Sequence, residues 1–377
     1  NAGLSAHVLE AENIGFGGSG RNVGLVNAGT WLPPQEVLKV LGESYGHRFV
    51  KTFSDGPSFV FNLIEKYQIR CEVTKTGTIH AANSPKGLRD LRGRHAEWLR
   101  LGEPVDLLDR AEIQDLIGSS AFHGGLFDHR AGTINPMGYC RGLARAALGA
   151  GGKISTGVRA KRLCRENNMW LVETDKGTMR AKSVVLGTNA YSDTLWPGLK
   201  KIFTIINYFQ FATIPIGEEA AHILPKRQGL WDTGSIMFNI RRDQFDRLLI
   251  GSMGKVIGDK NNGLSARFAR KQISKIFPEL NRISFEEAWD GQIAMTPDHL
   301  PKIFQLAEGL FTPIGYNGRG ITTGTIFGKA MADLLTGVPT DSLPLPISKT
   351  LIPARGSAMM SRLYSMAFMA NQIRKAV

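Results

Sequence analysis

The chain has 377 residues, 42% of them apolar and 21% charged, the proportions of a globular protein with room for one large domain or two interleaved ones. Its net charge of +13 favours anionic partners, but the basic residues are spread without an aromatic-interleaved patch, which excludes nucleic acid as the expected partner. Three cysteines, Cys71, Cys140 and Cys164, lack metal or redox spacing and point to a reducing, cytoplasmic setting; no apolar run reaches the roughly 18 residues of a membrane-spanning helix.

Residues 6–10, AHVLE, read as a short strand ending in an acid. In a dinucleotide-binding βαβ unit such an acid accepts hydrogen bonds from the ribose hydroxyls, and Glu10 fits that role. The strand, glycine turn and helix that come first in such a unit are not in the sequence, so the expectation is either a first unit of roughly 30 residues ahead of it or an incomplete site. Gly15-Phe16-Gly17-Gly18-Ser19-Gly20 matches G-x-G-x-x-G, but residues 21–34 are too rich in glycine and proline for a helix, and no strand ending in an acid comes after them. The stretch reads instead as a loop, in which Arg21 suits a phosphate and Ser19 and Asn22 add hydrogen bonds.

Periodicity then predicts two helices over residues 34–67, the second from Gly56 to Lys66, and a strand–turn–strand over 70–82. An amphipathic helix comes next over 85–101, and a short one over 109–117 whose D-R-A-E start forms a capping box. Residues 124–133 read as a hairpin. Asn135-Pro136 opens a helix to Gly149, with asparagine as cap and proline in the first turn. Strands at 153–158, 159–163, 169–174 and 178–185 come after it. Residues 194–295 carry further strand signals at 201–214, 230–233, 236–241, 247–252 and 283–289, interrupted by a helix at 265–277, as in an antiparallel sheet with helices on one face.

The richest stretch is 309–337, GLFTPIGYNGRGITTGTIFGKAMADLLTG: a buried strand, a turn with glycines at 315, 318 and 320, then a helix stopped at Gly337 and Pro339. The glycines allow positive φ and close approach of a flat ligand. A helix starting just after such a turn points free N–H groups at an anion or electron-rich oxygen.

GYNGRGI at 315–321, running into that helix, resembles the closing flavin-binding segment of the D-amino-acid-oxidase-like flavoproteins, the family of glycine and sarcosine oxidases, γ-glutamylputrescine oxidase and L-pipecolate oxidase. FGGSGRNVG at 16–24 resembles the family's segment along the flavin diphosphate and ring. VVLGTNAY at 184–191, the arginine hairpin within 238–252, and the Trp289-Asp290-Gly291 and Thr296-Pro297-Asp298 segments resemble further parts of it. The resemblance spans 6–337 and implies α/β plus α+β architecture: a Rossmann-like FAD-binding domain, its first βα unit absent, with an antiparallel-sheet substrate domain. FAD-binding segments at 1–80, 135–193 and 296–340 would alternate with substrate-domain segments at 81–134 and 194–295, ahead of a basic tail at 341–377. It also implies FAD contacts from Glu10, Ser19, Gly20, Arg21 and Asn22. Val158 would hold adenine by its backbone, and Gly187, Gly315, Gly318, Arg319, Gly320 and Ile321 would complete the set. No cysteine lies near Gly291, so the FAD is expected to be non-covalent. No metal is expected.

Amine oxidation by such a flavoprotein moves a hydride to the cofactor and leaves an imine, with oxygen or a quinone as final acceptor. The protein supplies orientation and electrostatics, and no strong general base is required. Arg241, Arg242 and Asn317 are the candidate catalytic or substrate-anchoring residues. Adjacent strand positions face opposite ways, so at most one of the two arginines faces a pocket. Gln292-Ile293-Ala294 stands where some glycine-oxidase-like relatives place a second arginine, which favours a secondary amine or cyclic imino acid, L-pipecolate-like, or a γ-glutamylputrescine-type amine. Trp31, Trp289 and Asn317 are candidate pocket-lining groups. The rival reading is the same fold unable to hold FAD.

After Asp341 the chain has no acidic residue but carries Lys349, Arg355, Arg362, Arg374 and Lys375. From Ser357 a helical pattern places Met359, Leu363, Met366, Ala370, Ile373 and Val377 on one face, joined at its edge by Met360 and Phe368, with Arg362, Ser365, Gln372 and Lys375 largely opposite. Such a basic amphipathic helix either lies on the inner membrane face or packs its stripe on its own domain or a partner subunit.

Overall fold

The computed structural model describes residues 3–376. Its largest element is an eight-stranded sheet, in the order Phe285–Met295, Thr204–Pro215, Arg247–Met253, Phe238–Arg242, Gly229–Asp232, Thr78–Ala81, Gly125–Asp128, Val105–Leu108. All neighbours are antiparallel except Gly229–Asp232 beside Thr78–Ala81. Alternation along the strands gives the sheet two unlike faces. One carries Ile79, Phe209, Phe211, Leu230, Ile240 and Ile250, all buried against the helices Leu264–Ile276 and Arg110–Ile117. The other is polar and turns towards the rest of the chain.

That remainder holds short parallel pairings. His7–Glu10 runs beside Lys153–Thr156, and Val184–Val185 beside Leu310–Ile314, which continues antiparallel into Lys302–Ala307. A three-stranded meander, Ala160–Glu166, Met169–Thr174 and Gly177–Ala181, stands beside them. The helices Pro34–Ser54, Gly56–Lys66 and Gly320–Leu335 pack together, Phe49, Phe53 and Phe327 at their centre. Local signals placed several ends well. Asp109 forms its reciprocal capping box with Glu112, and Asn135 caps the helix Pro136–Gly149.

Two expected hairpins do not form. Within 70–82 only Thr78–Ala81 is a strand, and Thr74 makes a lone bridge to Thr133. Gly125–Asp128 joins the large sheet, while Gly132–Thr133 leaves it to pair with Leu25–Val26. Arg130 pins the turn between them: its guanidinium meets Asp128 at 2.7 Å and Glu103 at 2.9 Å. Residues 18–21 form one helical turn rather than a loop. Gly20 is there for space, because a Cβ would lie 2.3 Å from the Gly15 carbonyl oxygen and 2.6 Å from Met137 Cε.

Candidate active site

The closing turn is locked by Asn317, which sits at φ 51° and is buried. Its Oδ1 accepts from the Thr296 N–H at 2.8 Å, and its Nδ2 donates to the Gly315 carbonyl at 2.7 Å and to Thr296 Oγ1 at 3.1 Å. The Trp31 indole N–H donates to the Asn317 carbonyl. The amide thus works inside the turn, holding it to the end of the sheet strand, with both its oxygen and its nitrogen engaged there. Asn189 Oδ1 accepts from the Gly315 N–H at 2.9 Å, which joins the segment after Gly187 to the same turn.

The helix Gly320–Leu335 begins without a side-chain cap. The first N–H to find a backbone acceptor is that of Thr323, bonded to Arg319, so the Gly320, Ile321 and Thr322 amides point outward unpaired. Gly318, at φ 81°, and Gly320 are both exposed. An exposed glycine turn with a free helix N-terminus behind it fits the flat, oxygen-bearing end of a flavin.

Arg319 leaves the turn sideways. Its guanidinium lies 5.0 Å from the Trp31 ring and 4.9 Å from the Trp231 ring, and it donates to the Ala28 carbonyl at 2.8 Å. Burial, with nearby Arg94, presses its pKa down to about 9, so it stays charged at neutral pH. His80 stacks on Trp231 at 3.6 Å. Burial, then Arg94 and Arg319, hold its pKa well below the usual histidine value, and the ring is neutral.

Trp231 and His80 belong to one line of side chains crossing the polar face of the sheet. The register runs Trp289, Gln210, Gly251, Asn239, Trp231, His80, Leu126, Leu107, one residue from each strand. A Cβ at Gly251 would fall 2.2 Å from Gln210 Nε2, so the missing side chain is what lets the Gln210 amide lie across that strand towards Asn239. Along this line and at Arg319, buried polar atoms stand without partners: Gln210 Oε1, Asn239 Oδ1, Trp231 Nε1 and Arg319 Nε. Native interiors rarely leave such atoms unpaired, so a cluster of them marks where a ligand's own groups belong. None of Gln210, Asn239, Trp231 or His80 stood out in the sequence as a site residue. Only the alternation in FNIRR and TIHA, which puts Asn239 with Arg241 and Thr78 with His80, carried a hint.

The two candidate arginines take opposite faces. Arg242 is spent on Asp246 at 3.0 Å and on the carbonyls of Ala221 and Ile223. Arg241 lies on the polar face, buried, its Nε donating to the Val23 carbonyl. Both arginines nevertheless line a cavity of ≈ 330 Å³ at the end of their strand, together with Glu72, Thr74, Arg227 and Gln244, contrary to the expectation that at most one would face a pocket.

At the nucleotide end, Glu10 Oε1 accepts from the Glu12 N–H at 2.9 Å, and the Val158 N–H donates to the Glu10 carbonyl at 3.0 Å, so these two stand side by side at the strand ends. Gly187 has open space where a Cβ would be. Asn22 uses its amide on the Gly18 and Ser19 carbonyls and on the Gly24 N–H, closing its own turn. Arg21 donates to the Asp290 carbonyl at 2.9 Å and stacks on Phe16 at 4.6 Å, while Trp289 donates to the Arg21 carbonyl. The turn with Ser19 and Gly20 is thereby tied to the edge strand of the large sheet. Among the described residues no group of side chains could hold a metal ion.

A family model described as FAD dependent oxidoreductase (DAO) matches residues 1–334. The gamma-glutamylputrescine oxidoreductase of Escherichia coli is 30% identical over 344 residues, covering 89% of this chain and 79% of that protein. Among solved structures, glycine oxidase from Geobacillus kaustophilus superposes with a TM-score of 0.77 at 19% identity over 92% of each chain. L-Proline dehydrogenase from P. horikoshii gives 0.69 at 20% identity over 89% and 87%.

Proposed function

Because this chain belongs to the DAO family of FAD-dependent oxidoreductases, we propose that it oxidises an amine or imino acid to the imine. FAD, when bound, supplies the hydride acceptor. The Gly315–Gly320 turn and the free amides of Gly320, Ile321 and Thr322 hold the ring end of the cofactor.

The observation that carries the reading is the set of unpaired atoms on the sheet face beside that turn. Gln210 Oε1 and Asn239 Oδ1 are acceptors, matched to the N–H of an amine. Trp231 Nε1 and Arg319 Nε are donors, matched to a carboxylate or carbonyl oxygen. Asn239 and Trp231 sit directly opposite on neighbouring strands, so this pair offers one ligand an acceptor and a donor side by side. Neutral His80, stacked on Trp231, adds no second positive charge to that of Arg319. The substrate class is a secondary amine or cyclic imino acid of the L-pipecolate kind, with a γ-glutamylputrescine-type amine as second choice on the likeness to the E. coli relative. Oxygen or a quinone then takes the electrons.

The test is anaerobic mixing of the flavin-loaded protein with a panel of amines. Bleaching of the yellow absorbance by one of these two classes is expected. Bleaching by glycine or D-alanine alone overturns the assignment.

A further inference from the structure

The last helix, Ser357–Ala376, does pack on its own domain, but with the face opposite to the one expected. It lies on the strand Thr204–Pro215 and the helix Leu264–Ile276, and its buried residues are Phe368, Asn371 and Gln372. Gln372 is fully buried, accepting from Ser265 Oγ at 2.8 Å and donating to the Lys255 carbonyl. Gly254 makes room for it, since a Cβ there would lie 2.4 Å from Gln372 Nε2. Ser361 Oγ accepts from the Ile205 N–H at 3.0 Å and fixes the other end. A polar residue in the seam sets the rotation of the helix, because turning it by half a revolution would bury the apolar stripe but strand Gln372's partners, Ser265 among them.

The stripe therefore faces outward. Met359 is 62% exposed, Met366 53%, Ile373 48% and Leu363 45%. With Met369 beside them they present roughly 500 Å² of apolar surface, at the upper end of what a monomeric protein shows to water. Val377, the last residue of the expected stripe, lies outside the described residues. At about 100° per residue the stripe from Met359 to Ile373 covers an arc of roughly 80°, and Arg362 and Arg374 fall about 20° beyond its two edges. Arg362 thus flanks the stripe rather than opposing it. Exposed Arg355, Lys349, Lys200 and Lys201 extend the basic rim at the start of the helix, where the Ala354 N–H donates to the Lys201 carbonyl.

We propose that this outward face docks on the surface of an anionic lipid bilayer, the methionine, leucine and isoleucine side chains entering the interface and the flanking arginines reaching lipid phosphates. Charge decides between occupants. A second copy meeting the stripe face to face would bring four arginines together with no acidic residue in 342–377 to answer them. Anionic headgroups answer them directly, and long basic side chains at the edge of an apolar stripe keep their heads at headgroup level. No helix of the described residues is long and apolar enough to cross the membrane, so the contact is peripheral.

The experiment is flotation of the whole flavin-loaded chain with phosphatidylglycerol-rich vesicles, phosphatidylcholine vesicles and no vesicles. The wild type is expected to float with the anionic vesicles and to be released by high salt. The double variant Leu363→Asp with Met366→Asp, both on the exposed face, is expected to remain below with an unchanged melting temperature and flavin spectrum. Arg362→Gln and Arg374→Gln are each expected to lower the partition coefficient about fivefold. Failure of the wild type to float, equal flotation of the aspartate variant, or a concentration-dependent dimer that the same variant dissolves each overturns the proposal. Vesicle binding reads no amine chemistry, so its failure leaves the proposed oxidation standing.

Discussion

Replacing Asn317 by alanine separates a turn-holding role from a chemical one. The native side chain satisfies the buried Thr296 N–H and the Gly315 carbonyl and tolerates φ 51°. Alanine leaves the Thr296 N–H buried without a partner, at about 1–3 kcal/mol, and adds about 1 kcal/mol because it lacks the side-chain amide that lets asparagine tolerate the left-handed region. The sum is roughly 3 kcal/mol, a large part of the stability of a domain. Asn317→Gly keeps the hydrogen-bond loss but removes the backbone penalty, so it is expected to be about 1 kcal/mol milder. Urea unfolding of the three proteins gives the stabilities, and titration with FAD gives affinity for the closing turn. Weaker FAD binding with a nearly normal rate of flavin reduction at saturating FAD is the expected pattern. A stability loss under about 1 kcal/mol for alanine, or a collapsed reduction rate with unchanged FAD affinity, would refute the reasoning.

The same geometry sets four further outcomes. Acid precipitation of the flavin-loaded protein is expected to release all the yellow chromophore to the supernatant; colour kept in the pellet denies the non-covalent assignment. Gly251→Ala displaces only the flexible end of Gln210 from its place over the strand, so KM for the amine is expected to rise while the melting temperature stays within a few degrees; an unchanged KM removes Gln210 from the floor. His80, depressed in the fold by burial and then by Arg94 and Arg319, stays neutral where the unfolded chain's histidine takes up a proton. Its contribution to stability is therefore complete above about pH 6.5 and is lost as pH falls towards the depressed folded value, at up to about 1.4 kcal/mol per unit; His80→Gln is expected to flatten that slope, and an unaltered slope refutes it. Arg242→Ala is expected to cost about 2–4 kcal/mol in denaturant unfolding, because it abandons Asp246 and two carbonyls, whereas a loss of activity at full stability contradicts the structural role given to it.

The parts of the site legible in the sequence were those made by neighbours in the chain. Gly315, Gly318 and Gly320 with the helical periodicity after them declare a strand–turn–helix, and Asp109 and Asn135 declare their helix starts, because caps and tight turns are settled within a few residues. The floor of the site was not legible. Gln210, Asn239, Trp231 and His80 meet only because Gly229–Asp232 pairs in parallel with Thr78–Ala81, some 150 residues away, and nothing in either stretch specifies that partner. The same limit explains the two hairpins that do not form. For the final helix the pattern was right, but of its two readings the one that packs the stripe on the domain fails, since Phe368, Asn371 and Gln372 form the inward face.

The alternation of the large sheet also divides labour along the chain. Ile79 beside His80, Leu230 beside Trp231, Ile240 beside Asn239 and Phe211 beside Gln210 put a core residue next to a residue of the proposed substrate face in four separate strands. Descendants of this chain are therefore free to acquire a new substrate by exchanging every second residue, while the residues between them go on holding the sheet to its helices. Tolerance to substitution along these strands should oscillate with a period of two, and the two phases should respond to different selections, one for persistence of the fold and one for choice of amine.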